Sequence, residues 1–217
     1  MQGRVQEGWV EVISGVMFAG KSEELLRRVR RALIARKRVQ VFKSQLDDRY
    51  GGPAQLSSHD RTRIFEASPI QNASEIRSLV SPETDVVGID EAQFLDEEIV
   101  SVVQWLADRR VRVIVAGTDL DFRGQPFGSM GALMATAEIV DKLHAVCVRC
   151  GNAATRNQRL IDGRPAPPES PVIRIGGSET YEARCRGCHE VPELGRHQTE
   201  LGIETEADAW ADRTRYW

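Results

Sequence analysis

The sequence predicts an α/β fold, a mainly parallel sheet with helices on both faces, followed by a small C-terminal unit built around cysteines. Three observations lead there. Apolar runs rich in β-branched residues alternate with amphipathic helical stretches, the pattern of βαβ units. The polar motifs begin where those runs end, as they do when a site gathers at the carboxyl edge of a parallel sheet. Past about Leu143 the alternation stops, and cysteine pairs, glycines and the Pro-rich RPAPPESP replace it.

Residues 9–13 alternate and carry β-branched side chains, which predicts a buried strand. A helix follows over 22–36, with Leu25, Leu26, Val29, Leu33 and Ile34 on one face. Its RRVRR run at 27–31 reads as the wet side of that helix rather than a docking site. VQVF at 39–42 is a second strand, and the polar stretch 44–63, with Gly51, Gly52 and Pro53, predicts a long mobile loop. DVVGID at 85–90 is a strand ending in acid, 98–108 suits a helix, and VRVIVAG at 111–117 is the clearest buried strand. The expected division is an α/β domain over 1–142, the cysteine unit over 143–192, and a polar, weakly ordered tail over 193–217.

Composition narrows the function classes. The chain has 217 residues, 41% hydrophobic and 28% charged, the profile of a globular protein with one core and a small appendage. A net charge of −3 gives no basic field for nucleic acid. MQGRVQEGWV lacks the apolar segment of a signal peptide, and no run approaches the roughly 20 apolar residues of a membrane span. The expected compartment is the cytoplasm, where four cysteines call for an explanation other than secreted disulfides.

GVMFAGKS, comprising Gly15, Val16, Met17, Phe18, Ala19, Gly20, Lys21 and Ser22, fits G-x-x-x-x-G-K-[ST] between a strand and a helix. Glycines let successive N–H groups face inward, and the helix N-terminus adds positive potential, so the loop is expected to hold the phosphates of ATP. Lys21 would bridge the β- and γ-phosphates, and the Ser22 hydroxyl would ligate magnesium. With this motif the predicted sheet becomes that of a P-loop NTPase of RecA-like type. At the end of VVGIDEAQF, Asp90 is expected to orient magnesium, and Glu91 stands where a carboxylate could take a proton from an attacking hydroxyl or water. The competing reading makes both acids strand-end solubilisers.

Cys147 and Cys150 form one C-x-x-C, Cys185 and Cys188 another, the spacing of a closed four-thiolate zinc site with an architectural role. His189 adjoins Cys188 and is an alternative fourth ligand; two unrelated reduced thiol pairs are the bland reading. His59, His144 and His197 fall in no metal spacing.

In this order and in so short a chain, these motifs resemble the type II thymidine kinase family over about residues 9–191. GVMFAGKS, SHDR at 58–61, GIDEAQF, DFRGQPFG at 121–128, the knuckles and IGGSETYEARC at 175–185 carry the resemblance. It implies transfer of the ATP γ-phosphate to the 5′-hydroxyl of thymidine, with Glu91 as catalytic base and Arg61 stabilising the transferring phosphate. Asp60 belongs to the same run, near the phosphates. Met17, Phe94, Phe122 and Phe127 match residues enclosing the thymine ring, and Thr118 and Asn157 fall beside the base. Tyr181 sits in a lasso-like loop between the knuckles, whose main chain around Val172, Ile175, Gly176 and Gly177 would bind the base edge. The resemblance further implies a homotetramer and feedback inhibition by thymidine triphosphate. Val16 and Ala19 replace the usual proline and serine at spacer positions. Thr118 and Asn157 replace leucine and threonine, which loosens the pocket at the thymine 5-methyl and admits deoxyuridine and 5-substituted analogues.

Two other readings compete. A nucleic-acid motor needs a second motor domain and a basic channel, for which the chain is too short and too acidic. A zinc-ribbon binding module needs cations and aromatics clustered at the knuckles; Arg149, Arg156, Arg159, Arg184 and Arg186 are diluted by acidic and Pro-rich segments.

Overall fold

The structure is a computed structural model, and it describes residues 7–46, 55–57, 64–174 and 180–192. Its body is a six-stranded parallel sheet. In chain order the strands are β1 (Trp9–Gly15), β2 (Val39–Ser44), the short antiparallel pair β3 (Gln55–Ser57) and β4 (Ile64–Glu66), β5 (Ser68–Ile70), β6 (Val86–Asp90), β7 (Arg112–Gly117) and β8 (Ile139–Leu143). Spatial order in the large sheet is β5-β2-β6-β7-β1-β8. The central strands are buried throughout because both faces are covered, which is why they read as continuous apolar runs.

Helix α1 (Lys21–Ile34) lays Leu25, Leu26 and Val29 against Ile13, Val41, Ile114 and Ala116 on one face. The other face is larger. There α2 (Glu75–Leu79), α3 (Glu98–Asp108) and α4 (Met130–Thr136) pack Ile76, Ile99, Val102, Val103, Leu106, Met130 and Leu133 onto Val10, Val12, Val87, Ile89, Val113 and Val115. Among the described residues no helix is long and apolar enough to cross a membrane.

The predicted strands and helices are present with shifted ends. The first helix runs 21–34 rather than 22–36, and the strand expected over 39–42 continues to Ser44. The polar stretch 44–63, expected as loop, contains strand at Gln55–Ser57; most of the rest lies outside the described residues, as does the tail 193–217. Strands of three residues and helices of five to seven, such as β5 and α2, present too few repeats for a periodicity to register.

Beyond β8 the described residues build two small strand groups. β9 (Ala145–Val146) pairs β10 (Ala153–Ala154), and β11 (Arg156–Ile161) lies between β12 (Arg164–Pro165) and β13 (Tyr181–Arg184).

One buried ion network ties the sheet to α1. Glu11 on β1 is 4% exposed and accepts hydrogen bonds from Arg28 of α1 at 2.7 Å, Arg112 of β7 at 2.6 Å and the Trp9 indole at 2.6 Å. Arg28 also bonds Glu24 and Asp141. Burial works against the Glu11 charge, but the bonds from Arg112, Trp9 and Arg28 outweigh it and hold the carboxyl below its ordinary range. Bonding to Arg27, opposed by burial and helped by Arg28, brings Glu24 down to about 2.

Both carboxyls have folded values below their unfolded ones, so their contribution is full above the unfolded range and is lost as pH falls through the folded one. The urea midpoint is expected to drop as pH falls from 4.5 toward about 2, and to drop less in Arg28→Met, as urea titrations at stepped pH would show. At neutral pH Glu11→Ala should cost about 2–3 kcal/mol, near the low end for breaking a buried pair, because Arg112 stays partly exposed. A change below about 0.5 kcal/mol, the scale of a surface substitution, would contradict this.

Candidate active site

The parallel sheet brings its carboxyl ends to one edge, and the first of them opens into the phosphate-loop motif. Gly15 turns there with φ 145°, and a Cβ on it would lie 2.4 Å from the Leu143 carbonyl oxygen. Phe18 and Gly20 then adopt left-handed conformations, φ 65° and 82°, curling the loop into the start of α1. Lys21 is buried and its ammonium donates to the Val16 carbonyl at 2.9 Å, so the lysine lies across the loop.

Ser22 donates its hydroxyl to Asp90 at 3.0 Å, joining the start of α1 to the end of β6. Asp90 is 3% exposed. Burial, followed by the neighbouring charge of Glu91, pushes its carboxyl up to about 7, against the pull of Lys43 and Ser22. A desolvated carboxylate beside a hydroxyl is a hard, oxygen-only donor pair, which suits magnesium better than a softer metal. Glu91 follows with φ 54° and ψ 41°, a left-handed backbone that is strained for any residue with a Cβ, and its N–H bonds back to Asp90 at 3.0 Å.

Beside this lies a slot enclosing about 390 Å³ including its open mouth. Met17, Phe94, Thr118, Phe122, Phe127, Asn157, Val172 and Tyr181 all line it, so the structure brings every described residue expected around a base to one place. Phe94 and Phe127 meet edge to face at 5.7 Å. Phe122, Tyr181 and Ala166 form a buried cluster with Met17 against it, and the Tyr181 hydroxyl donates to the Arg174 carbonyl at 2.9 Å. Flat apolar walls with few polar groups are the usual surroundings of a nucleobase. Met17 belongs to both the phosphate loop and the slot, so the two are continuous. Asp60, Arg61, Ile175, Gly176 and Gly177 lie outside the described residues.

The four cysteines converge. The Sγ atoms of Cys147, Cys150, Cys185 and Cys188 all lie within 4.8 Å of one another, a donor set that can hold a metal ion and fits structural zinc. The first pair caps the turn from β9 to β10, and the second follows β13. Burial opposes ionisation of Cys147, but main-chain N–H groups of Cys185, Arg149 and Cys150 bring its thiol down. The sulfurs of Cys150 and Cys185 push Cys188 up. Crowded thiols resist shedding all their protons without a cation among them. His189 is not needed as a ligand: its Nε2 lies 2.8 Å from the Phe122 carbonyl, and burial lowers its pKa.

The family model for thymidine kinase matches residues 8–189. The chain belongs to the thymidine kinase family. A solved structure, that of the flagellar accessory protein FlaH from Methanocaldococcus jannaschii, aligns with a TM-score of 0.47 and 12% identity over 70% of this chain and 77% of that one.

Within this family member, three residues have partners that the sequence did not reveal. Gln93 is 4% exposed; its Oε1 accepts the Thr118 N–H at 2.9 Å, which leaves Nε2 to donate to the Glu91 carboxylate. Lys43, 5% exposed, stands in register with Asp90 across β2 and β6. A lysine closing an apolar strand was the only visible signal for it. Asn157, expected beside the base, spends its amide on the protein: Oδ1 accepts the Met17 N–H and Nδ2 donates to the Leu120 carbonyl, both at 2.8 Å. It is a strut between the phosphate loop and the slot.

Replacing Cys185 by Ser should abolish stoichiometric zinc binding and lower the melting temperature. Metal analysis with thermal unfolding would check both, and full zinc retention would count against the four-thiolate site.

Proposed function

We propose that this chain transfers the γ-phosphoryl group of ATP to the 5′-hydroxyl of thymidine, giving dTMP and ADP. The observation that carries the reading is the continuity of an aromatic, base-sized slot with a phosphate loop, with Glu91 tethered between them through Gln93. Phosphoryl transfer passes through a loose transition state, so positioning and charge neutralisation supply most of the catalysis.

The phosphate loop, 15–22, donates main-chain N–H groups to the phosphates, and Lys21 leaves the Val16 carbonyl to reach the β- and γ-oxygens. Asp60 and Arg61 join the phosphates from their segment. Ser22 and Asp90 would hold the magnesium that accompanies ATP, which would supply charge neutralisation during the transfer. Phe94, Phe122 and Phe127 sandwich the base with Met17 and Tyr181. Thr118 and the main chain at Val172, Ile175, Gly176 and Gly177 orient its edge. Glu91 accepts the 5′-hydroxyl proton as the oxygen attacks phosphorus. Cys147, Cys150, Cys185 and Cys188 would hold zinc with no position open to substrate, so its part would be architectural, bracing the loop between the knuckles.

The same reading includes an α/β domain over 1–142 and a zinc unit over 143–192, a cytoplasmic role in deoxynucleotide salvage and feedback inhibition by thymidine triphosphate. It includes no nucleic-acid or membrane partner, and it extends to deoxyuridine as a second substrate. A homotetramer is supported by the edge strand β8, where Ile139 and Val140 are 45% and 41% exposed.

ADP release measured with thymidine, with DNA and with neither tests the proposal. Release should require thymidine; dependence on DNA, or indifference to thymidine, would sink it. Glu91→Gln should keep ATP and thymidine binding and lose about 10²–10⁴-fold in kcat, the span of general-base help. Undiminished turnover in that variant would remove Glu91 as the base.

A further inference from the structure

His189 directly follows the second knuckle and stands outside the cluster of four sulfurs. Its backbone is set by the knuckle itself, since the N–H groups of Cys188 and His189 both donate to the Cys185 carbonyl at 3.1 Å. Its ring leaves the cysteine cluster and meets the main chain of the slot, Nε2 lying 2.8 Å from the Phe122 carbonyl. That oxygen can only accept, so Nε2 carries the proton.

Phe122 is 3% exposed, and its ring forms the wall of the slot against Tyr181 and Ala166. The segment bearing it, 119–128, bends through a left-handed Gly124 and is held within itself by Asp121, which accepts from the N–H groups of Arg123 and Gln125. Across to the cysteine unit run two side-chain bonds to consecutive even-numbered carbonyls: Asn157 to Leu120 and His189 to Phe122. The Phe122 carbonyl and ring share one Cα. Holding the carbonyl therefore fixes how far the ring leans into the slot.

We infer that His189 is a positioning residue for nucleoside recognition, transmitting the geometry of the four-cysteine site to Phe122 through its Nε2–H bond. The inference rests on the thymidine kinase reading above and adds a specificity determinant to it. His189 touches neither phosphate nor reacting atoms, so its loss should be felt in nucleoside affinity and not in the chemical step.

The test compares His189→Ala, His189→Asn and His189→Gln in the full-length, zinc-loaded protein. A Gln amide nitrogen reaches where Nε2 stands and an Asn amide does not, so the two polar variants separate hydrogen bonding from general packing. Thymidine Kd is measured by calorimetry without ATP, alongside thymidine KM, ATP KM, kcat and zinc content. Ala and Asn should weaken thymidine binding and raise its KM about fivefold to tenfold, as loss of one neutral hydrogen bond does. In the same variants kcat and ATP KM should stay within about twofold, the pattern of lost uniform binding. Zinc content should not change, and Gln should restore most of the affinity. Unchanged thymidine affinity in Ala and Asn, a Gln variant no better than Asn, or loss of zinc from any of the three would overturn the inference. Wild-type protein that neither binds nor phosphorylates thymidine would overturn the parent reading first, before any variant is compared.

Discussion

The hydrogen bond from Ser22 to Asp90 has to cross a strand. Sheet order places β7 between β6 and β1, so the acidic strand end and the phosphate loop meet only over the end of β7. On the face away from α1, Gly117 lets α4 and Gln93 close onto the end of β7: a Cβ there would stand 2.4 Å from the Met130 sulfur and 2.9 Å from the Gln93 amide oxygen. The next residue, Thr118, then offers its N–H to Gln93, and Gln93 offers its own to Glu91. The end of β7 is thus flanked by a chain of bonds that links a hydroxyl, two carboxylates and one wall of the slot.

The cysteine-bearing unit is the second brace. Its strand β11 supplies Asn157, whose amide spans from the phosphate loop to the slot segment, and its second knuckle supplies His189. The unit is small and has little apolar core of its own, with Val16 of the phosphate loop packed among Ala145, Cys147, Ala154 and Ala183. So small a core is weak support for a precise wall, and a four-thiolate metal site is a common remedy in units of this size.

Sequence made the two long helices, the buried strands and the phosphate loop readable because each is governed by local periodicity or by a motif with fixed spacing. The cysteine cluster was readable for the same reason, since two C-x-x-C turns leave few other arrangements. What escaped depended on pairing at a distance. The strand Gln55–Ser57 exists through its partner Ile64–Glu66 rather than through its own pattern. Gln93 carried no signal within DEAQF because its value lies in reaching Thr118, 25 positions away. Asn157 lines the slot, but its commitment to Met17 and Leu120 needs the fold to be seen. His189 was weighed as a metal ligand because proximity to Cys188 in sequence is visible and the direction of a ring is not.

Glu91 sits where a backbone of φ 54° is strained. Left-handed residues other than glycine, asparagine and aspartate carry roughly 1–2 kcal/mol of such strain. Glycine or asparagine at that position would relax the turn and remove a negative charge from beside a desolvated Asp90. Directed evolution that rewards heat resistance alone would therefore drift toward glycine or asparagine at this position and, under the proposed role of Glu91 as base, toward sturdier, silent proteins, so a screen for durable variants has to score turnover in the same round.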